Sequence, residues 1–124
     1  MSTPHLAALW AYVNAWSEPD TEVAKKLLSS CWTEDSEIIG PGYCFKGTRA
    51  VFEEIERFHR EQPGCKSVMT SGFDTHGLWT RFTIAMVKPD GSRGPEGWDI
   101  VEQNADGTIH RVITFWGPLP DVDP

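Results

Sequence analysis

The sequence lacks the features that mark several large classes of protein. Cysteine is scarce: Cys31, Cys44 and Cys65 make an odd number with no C-x-x-C spacing. A disulfide framework and a zinc ribbon are therefore not expected, and a reducing cytoplasm is the simplest compartment. Basic residues are few, with 11 Lys+Arg against 18 Asp+Glu and a formal net charge of −7. Nucleic acid and anionic membrane surfaces both call for a basic face, so neither is an expected partner. No apolar run reaches the ~18 residues of a membrane span. The opening Met1-Ser2-Thr3-Pro4-His5 has neither the basic stretch nor the apolar core of a signal peptide. No His/Cys/Glu cluster has metal-ligand spacing, so no metal is expected. The stretch Pro89-Asp90-Gly91-Ser92-Arg93-Gly94 is turn-rich. It does not lie between a strand and a helix as a phosphate loop does, and no cofactor is implied. There is no internal repeat, linker or low-complexity segment.

What is present is a globular composition. The chain has 124 residues, 40% apolar and 11% aromatic, with six tryptophans. That length suits one domain. The first half reads as helical. Leu6, Leu9, Trp10, Val13 and Trp16 follow helical spacing and predict a helix over about 4–16. Ser17-Glu18-Pro19-Asp20 breaks it, with Ser17 as a capping candidate. Val23, Leu27, Leu28 and Cys31 give a second helix to about residue 31. Glu37-Ile38-Ile39 reads as a short strand stopped by Gly40-Pro41-Gly42, and Tyr43 to Lys46 can pair back on it. Thr48 is the expected N-cap of a third helix whose apolar face is Val51, Phe52, Ile55, Phe58 and His59. Pro63-Gly64 ends that helix.

Extended segments follow at about 66–74, 78–88, 97–104 and 108–116. The separators Thr75-His76-Gly77, Pro89-Asp90-Gly91-Ser92 and Ala105-Asp106-Gly107 all contain glycine, and two contain Asp-Gly. An antiparallel meander is expected, and helices followed by strands predict an α+β fold. In the last segment both faces are apolar. His110, Val112, Thr114 and Trp116 share one side; Ile109, Arg111, Ile113 and Phe115 share the other. One side then lines an interior and the other meets a partner subunit.

This order of elements, together with three local motifs, resembles the NTF2-like superfamily in its SnoaL-like and ketosteroid-isomerase-like branch. The motifs are Trp32-Thr33-Glu34-Asp35-Ser36-Glu37-Ile38 at the first strand and Phe45-Lys46-Gly47-Thr48-Arg49-Ala50-Val51 at the third helix. The third runs from Gly97-Trp98-Asp99 through Asp106-Gly107-Thr108-Ile109 to Phe115-Trp116-Gly117. The resemblance spans nearly the whole chain. It implies a cone of curved antiparallel sheet closed by three N-terminal helices, a mostly apolar pocket, and a homodimer through the convex sheet face. The family includes isomerases, cyclases, epoxide hydrolases, dehydratases and non-catalytic binding or assembly domains, so function rests on the site.

The resemblance also assigns candidate site residues. Ketosteroid isomerase holds a dienolate oxygen between a helix-one tyrosine and a protonated aspartate, while a second aspartate moves the proton. Tyr12 lies eight residues before Asp20, Asp99 eight before Gly107, and Trp116 nine after Gly107. Those spacings match the family's tyrosine, oxyanion aspartate and pocket aromatic. The proton-moving aspartate precedes a proline, and here that position is Gly40. A base must then come from elsewhere, with His59, His110 and Asp35 as the titratable candidates. His59 also reads as a core or interface histidine. Strand alternation puts Val101 beside Asp99, and Val112 and Thr114 beside Trp116. Trp16 and Phe58 complete the candidate substrate-binding set. Arg81 reads as a carboxylate clamp, an ion-pair partner or an outward side chain. Two functions are expected: a cofactor-independent isomerase or cyclase acting on a small apolar carbonyl compound, or a non-catalytic binder of a small apolar molecule. An assembly domain working through its dimer interface is a third.

Overall fold

The computed structural model describes residues 3–123. Two helices, α1 (Thr3–Ser17) and α2 (Thr21–Cys31), lead into β1 (Trp32–Gly40) and β2 (Tyr43–Lys46). Helix α3 (Thr48–Glu61) is followed by β3 (Lys66–Met69), β4 (Asp74–His76), β5 (Trp79–Val87), β6 (Arg93–Gln103) and β7 (Ile109–Trp116). None of the described helices is long and apolar enough to cross a membrane.

Helix α3 buries Val51 and Ile55 of its expected stripe. Leu6 and Trp10 of the α1 stripe and Val23 of the α2 stripe are exposed, and the buried face of α1 is turned toward Tyr12 and Ala15. Leu9, Tyr12 and Ala15 of α1 pack inward with Leu28 and Cys31 of α2 and Val51 and Ile55 of α3. The cap of α2 is Asp20, not Ser17: its carboxylate accepts from the Glu22 and Val23 backbone N–H groups. Ser17 instead donates its hydroxyl to the Ser67 carbonyl, tying the end of α1 to β3. The cap of α3 is Gly47, and Thr48 is already helical, so no side chain caps that helix.

The seven strands form one sheet in the order β2-β1-β7-β6-β5-β3, with β4 on the end of β5. The α+β architecture is as expected, a curved sheet covered by three helices. One pairing departs from the antiparallel meander: β1 runs parallel to β7, with Ile38 opposite Val112. That contact joins segments far apart in the chain, and no local turn signal encodes it. Strand β1 is also longer than the expected Glu37-Ile38-Ile39, because Trp32 and Ser36 are buried through an irregular register. The Ser36 hydroxyl donates to the Ile109 carbonyl across it. The expected turn at Thr75-His76 is a strand, β4. Thr75 and Thr80 hydroxyls pair at 2.8 Å, and Arg81 meets Asp74 at 2.7 Å. The chain reverses at Gly77 instead.

Alternation sets the two faces of the sheet. On β6, Asp99, Val101 and Gln103 are buried, while Trp98 is exposed. On the outer face Trp98 lies opposite Phe115, and Ile113 lies between Ile100 and Ile39. Phe115 is 56% exposed and Trp79 is 43% exposed, so this face carries an uncovered aromatic surface.

Candidate functional site

The inner face of the sheet and helices α1 and α3 enclose a cavity of about 210 Å³. Tyr12, Val13 and Trp16 reach it from α1, and Glu54, Arg57 and Phe58 from α3. The strands supply Ile38, Tyr43, Phe45, Ser67, Ile84, Met86, Asp99, Thr114 and Trp116. The lining is mostly apolar, and among its polar groups Thr114 bonds Asp99 while Glu54 and Arg57 pair with each other.

Asp99 is 4% exposed. Its Oδ1 accepts from the Thr114 hydroxyl at 2.7 Å, from the neighbouring position on β7. Burial raises its pKa from 3.8 to about 6, and the Thr114 bond opposes that rise. Tyr12 is stacked on Trp32 with ring centroids 5.6 Å apart. Burial, then the charge of Asp99, holds its phenol well above the ordinary range. Trp16 Nε1 is buried and makes no hydrogen bond of ordinary geometry, yet its N–H lies close enough to the Tyr12 hydroxyl to draw that pKa down. An orphaned buried donor is uncommon, and here it adjoins a phenol facing a cavity.

Sequence reasoning did not include Tyr43 in the site. It is half-buried, its ring stacks on Phe45 at 5.3 Å, and it lines the cavity. Burial raises its pKa, Asp99 adds to the rise, and Trp116 and Thr114 work against it. Both phenols are therefore neutral O–H donors at neutral pH. The overlooked signal is the glycine opposite it. Gly40 pairs with Tyr43, and a Cβ there would lie 2.1 Å from Tyr43 Cζ. A second pair repeats the device: a Cβ on Gly97 would lie 2.7 Å from the Trp116 ring. In each case a strand glycine lets the ring of a cavity-lining aromatic lie across the backbone.

The other candidates lie outside the lining. His59 Nε2 bonds the Trp16 carbonyl at 2.9 Å, and its ring meets Phe58 edge-on. It joins α3 to the end of α1. His110 is half-buried outside the cavity. Ile109 and Val112 are both buried, so the strand changes phase between them, opposite the register shift at Glu102/Gln103. Val101 and Val112 are wholly buried in the core. Asp35 is exposed, and Arg81 is held by Asp74 on the outer face. Trp16, Phe58, Thr114 and Trp116 do line the cavity, with Tyr12 and Asp99. Cys31 is buried and its thiol is pushed up to about 12, which leaves it unreactive. Among the described residues no three His, Cys, Asp or Glu side chains are grouped to hold a metal ion.

No protein-family model and no curated protein matches the sequence. Solved structures do. One is a SnoaL-like family protein from Agrobacterium tumefaciens, provisionally assigned as an isomerase, with 31% identity and a TM-score of 0.85. The alignment covers 94% of this chain and 100% of that one. The chain belongs to the SnoaL-like family. Two more distant structures share the fold. An NTF2-like protein of unknown function from Exiguobacterium has 21% identity and a TM-score of 0.69, over 90% of this chain and 99% of that one. A provisionally assigned SnoaL-like polyketide cyclase from Jannaschia has 12% identity and a TM-score of 0.69, over 94% of this chain and 89% of that one. In this SnoaL-like chain the cavity is the natural place to look for chemistry, since it joins apolar walls to one buried carboxyl.

Proposed function

We propose that this SnoaL-like protein moves a proton on a small, largely apolar carbonyl compound without a cofactor. The observation that carries the reading is Asp99, a buried carboxyl in an apolar cavity with a pKa raised to about 6. A general base works best with a pKa near the operating pH. The histidines and Asp35 lie outside the cavity, and the other lining acid, Glu54, is paired with Arg57. At neutral pH Asp99 is mostly ionised. The role it fits is the base, rather than the neutral donor that the resemblance implied. Tyr12 donates to the carbonyl oxygen. Asp99 takes a proton from the adjacent carbon, the C–H electron pair forms a C=C bond, and the oxygen becomes an enolate. Return of the proton to the same carbon exchanges it, and in a β,γ-unsaturated ketone its return to the γ carbon shifts the C=C bond; either restores the carbonyl with no net change in oxidation level. A donor aimed at the developing charge in a water-poor site is worth a few kcal/mol.

Size limits the ligand. An engineered cavity of roughly 150 Å³ accepts benzene, so 210 Å³ suits one ring or a compact fused pair. The test is proton–deuterium exchange on a panel of small cyclic ketones in heavy water, followed by NMR. Exchange should exceed the buffer rate, rise with pH through about 6, and vanish in Asp99→Asn. Exchange at the buffer rate for every ketone overturns the reading. The bare Gly40 favours one other reading, a non-catalytic binder, since residue 40 offers no carboxyl where the resemblance puts the proton-moving aspartate. A binder would retain these ketones while leaving their exchange unaccelerated. The outer aromatic face supports a homodimer as the working unit.

A further inference from the structure

We propose that Tyr43 is a second oxygen-binding residue of the cavity, and that it occupies space which Gly40 keeps clear for it. The inference rests on the Tyr12–Asp99 reading above and adds the donor that this reading lacks once Asp99 serves as base.

The geometry runs from backbone to hydroxyl. The turn Gly40-Pro41-Gly42 reverses the chain, with Gly42 at φ 78°, and sets Tyr43 directly opposite Gly40. A Cβ at position 40 would lie 2.2 Å from the Tyr43 hydroxyl oxygen, closer than any non-bonded pair tolerates. The phenol therefore projects through the volume that any other residue at 40 would fill. Its hydroxyl feels Asp99, Thr114 and Trp116, all three of them cavity-lining. Tyr12 feels both Asp99 and Tyr43. Two neutral phenols thus line the same cavity as one carboxylate, one from helix α1 and one from the β1–β2 hairpin. A carboxylate sharing a cavity with two O–H donors suits a ligand whose carbonyl becomes an enolate. The phenols stabilise the anionic oxygen while Asp99 holds the proton.

A ring lying over a strand glycine also covers exposed backbone, and that packing role alone would need no hydroxyl. Tyr43→Phe separates the two, because it keeps the ring and removes the donor. The probe is para-nitrophenol, a one-ring compound whose ionised oxygen mimics the enolate and absorbs in the visible. It is titrated into Asp99→Asn protein, where no charge at position 99 opposes the anion. Adding Tyr43→Phe should raise the pH at which the bound probe ionises by about half a unit to one unit. Affinity for the anion should fall by about three- to ten-fold, the worth of one hydrogen bond. Tyr12→Phe in the same background should do likewise. Gly40→Ala should reproduce the Tyr43→Phe shift, since the new methyl displaces the phenol. If Tyr12→Phe moves the ionisation and Tyr43→Phe does not, the Tyr43 assignment falls and the Tyr12–Asp99 site stands. If neither the wild-type nor the Asp99→Asn protein binds the probe, both fall together.

Discussion

A carboxyl raised to about 6 weighs against the fold whenever it is ionised. Asp99 binds its proton more tightly in the folded chain than in the unfolded one, where the ordinary value of 3.8 applies. Its contribution to stability is therefore fully present below about pH 4 and is lost as pH rises through about 6. The full difference is on the order of 3 kcal/mol. Asp99→Asn keeps the Thr114 hydrogen bond and carries no charge. In denaturant titrations it should be more stable than wild type by about 1–3 kcal/mol near neutral pH, with the advantage gone by about pH 4. An equal difference at both pH values would mean that the carboxyl is not the source. Tyr12 and Asp99 were reached in the sequence through the family resemblance, whose spacings they match, and both line the cavity. Tyr43 was not, because its place depends on a neighbouring glycine's missing side chain, and cross-strand vacancies leave no periodic trace.

At the scale of elements, helix α2 offers a clean separation of stability from the site. Asp20 caps it through two backbone N–H groups at the protein surface, away from the cavity lining. Asp20→Ala should cost about 1 kcal/mol in thermal or chemical unfolding and leave probe binding unchanged. Three helices and the final hairpin could be read from the sequence, since periodicity and Asp-Gly turns are local signals. The parallel β1–β7 pairing and the strand at Asp74–His76 could not, because both depend on partners remote in the chain or on side-chain pairs formed only after folding. The misplacement of His110 has the same origin. Alternation put it beside Val112, and the irregular register next to Ile109 turns it elsewhere. Val101 and Val112 do face inward as alternation requires, yet they sit in the core and outside the cavity lining.

For the molecule as a whole, the outer sheet face sets the assembly prediction. Trp98, Phe115, Ile100, Ile113 and Ile39 form an apolar surface continuous across three strands. A second copy is the partner we expect there, with isologous pairing of the two faces. Light scattering on the purified protein should give twice the chain mass, and Phe115→Lys should return it to a single chain; a monomeric wild type at micromolar concentration would sink the idea. The cavity side of the same sheet has its own logic. Gly40 and Gly97 are interlocked with the rings of Tyr43 and Trp116. Neither glycine can gain a side chain while its ring stays, and trimming a ring first leaves a breach in the wall. Drift at this chamber is thus forced to travel in couples. A descendant that regains an acid at position 40 must surrender the phenol at 43 in the same stride, exchanging one proton chemistry for another without passing through a half-built intermediate.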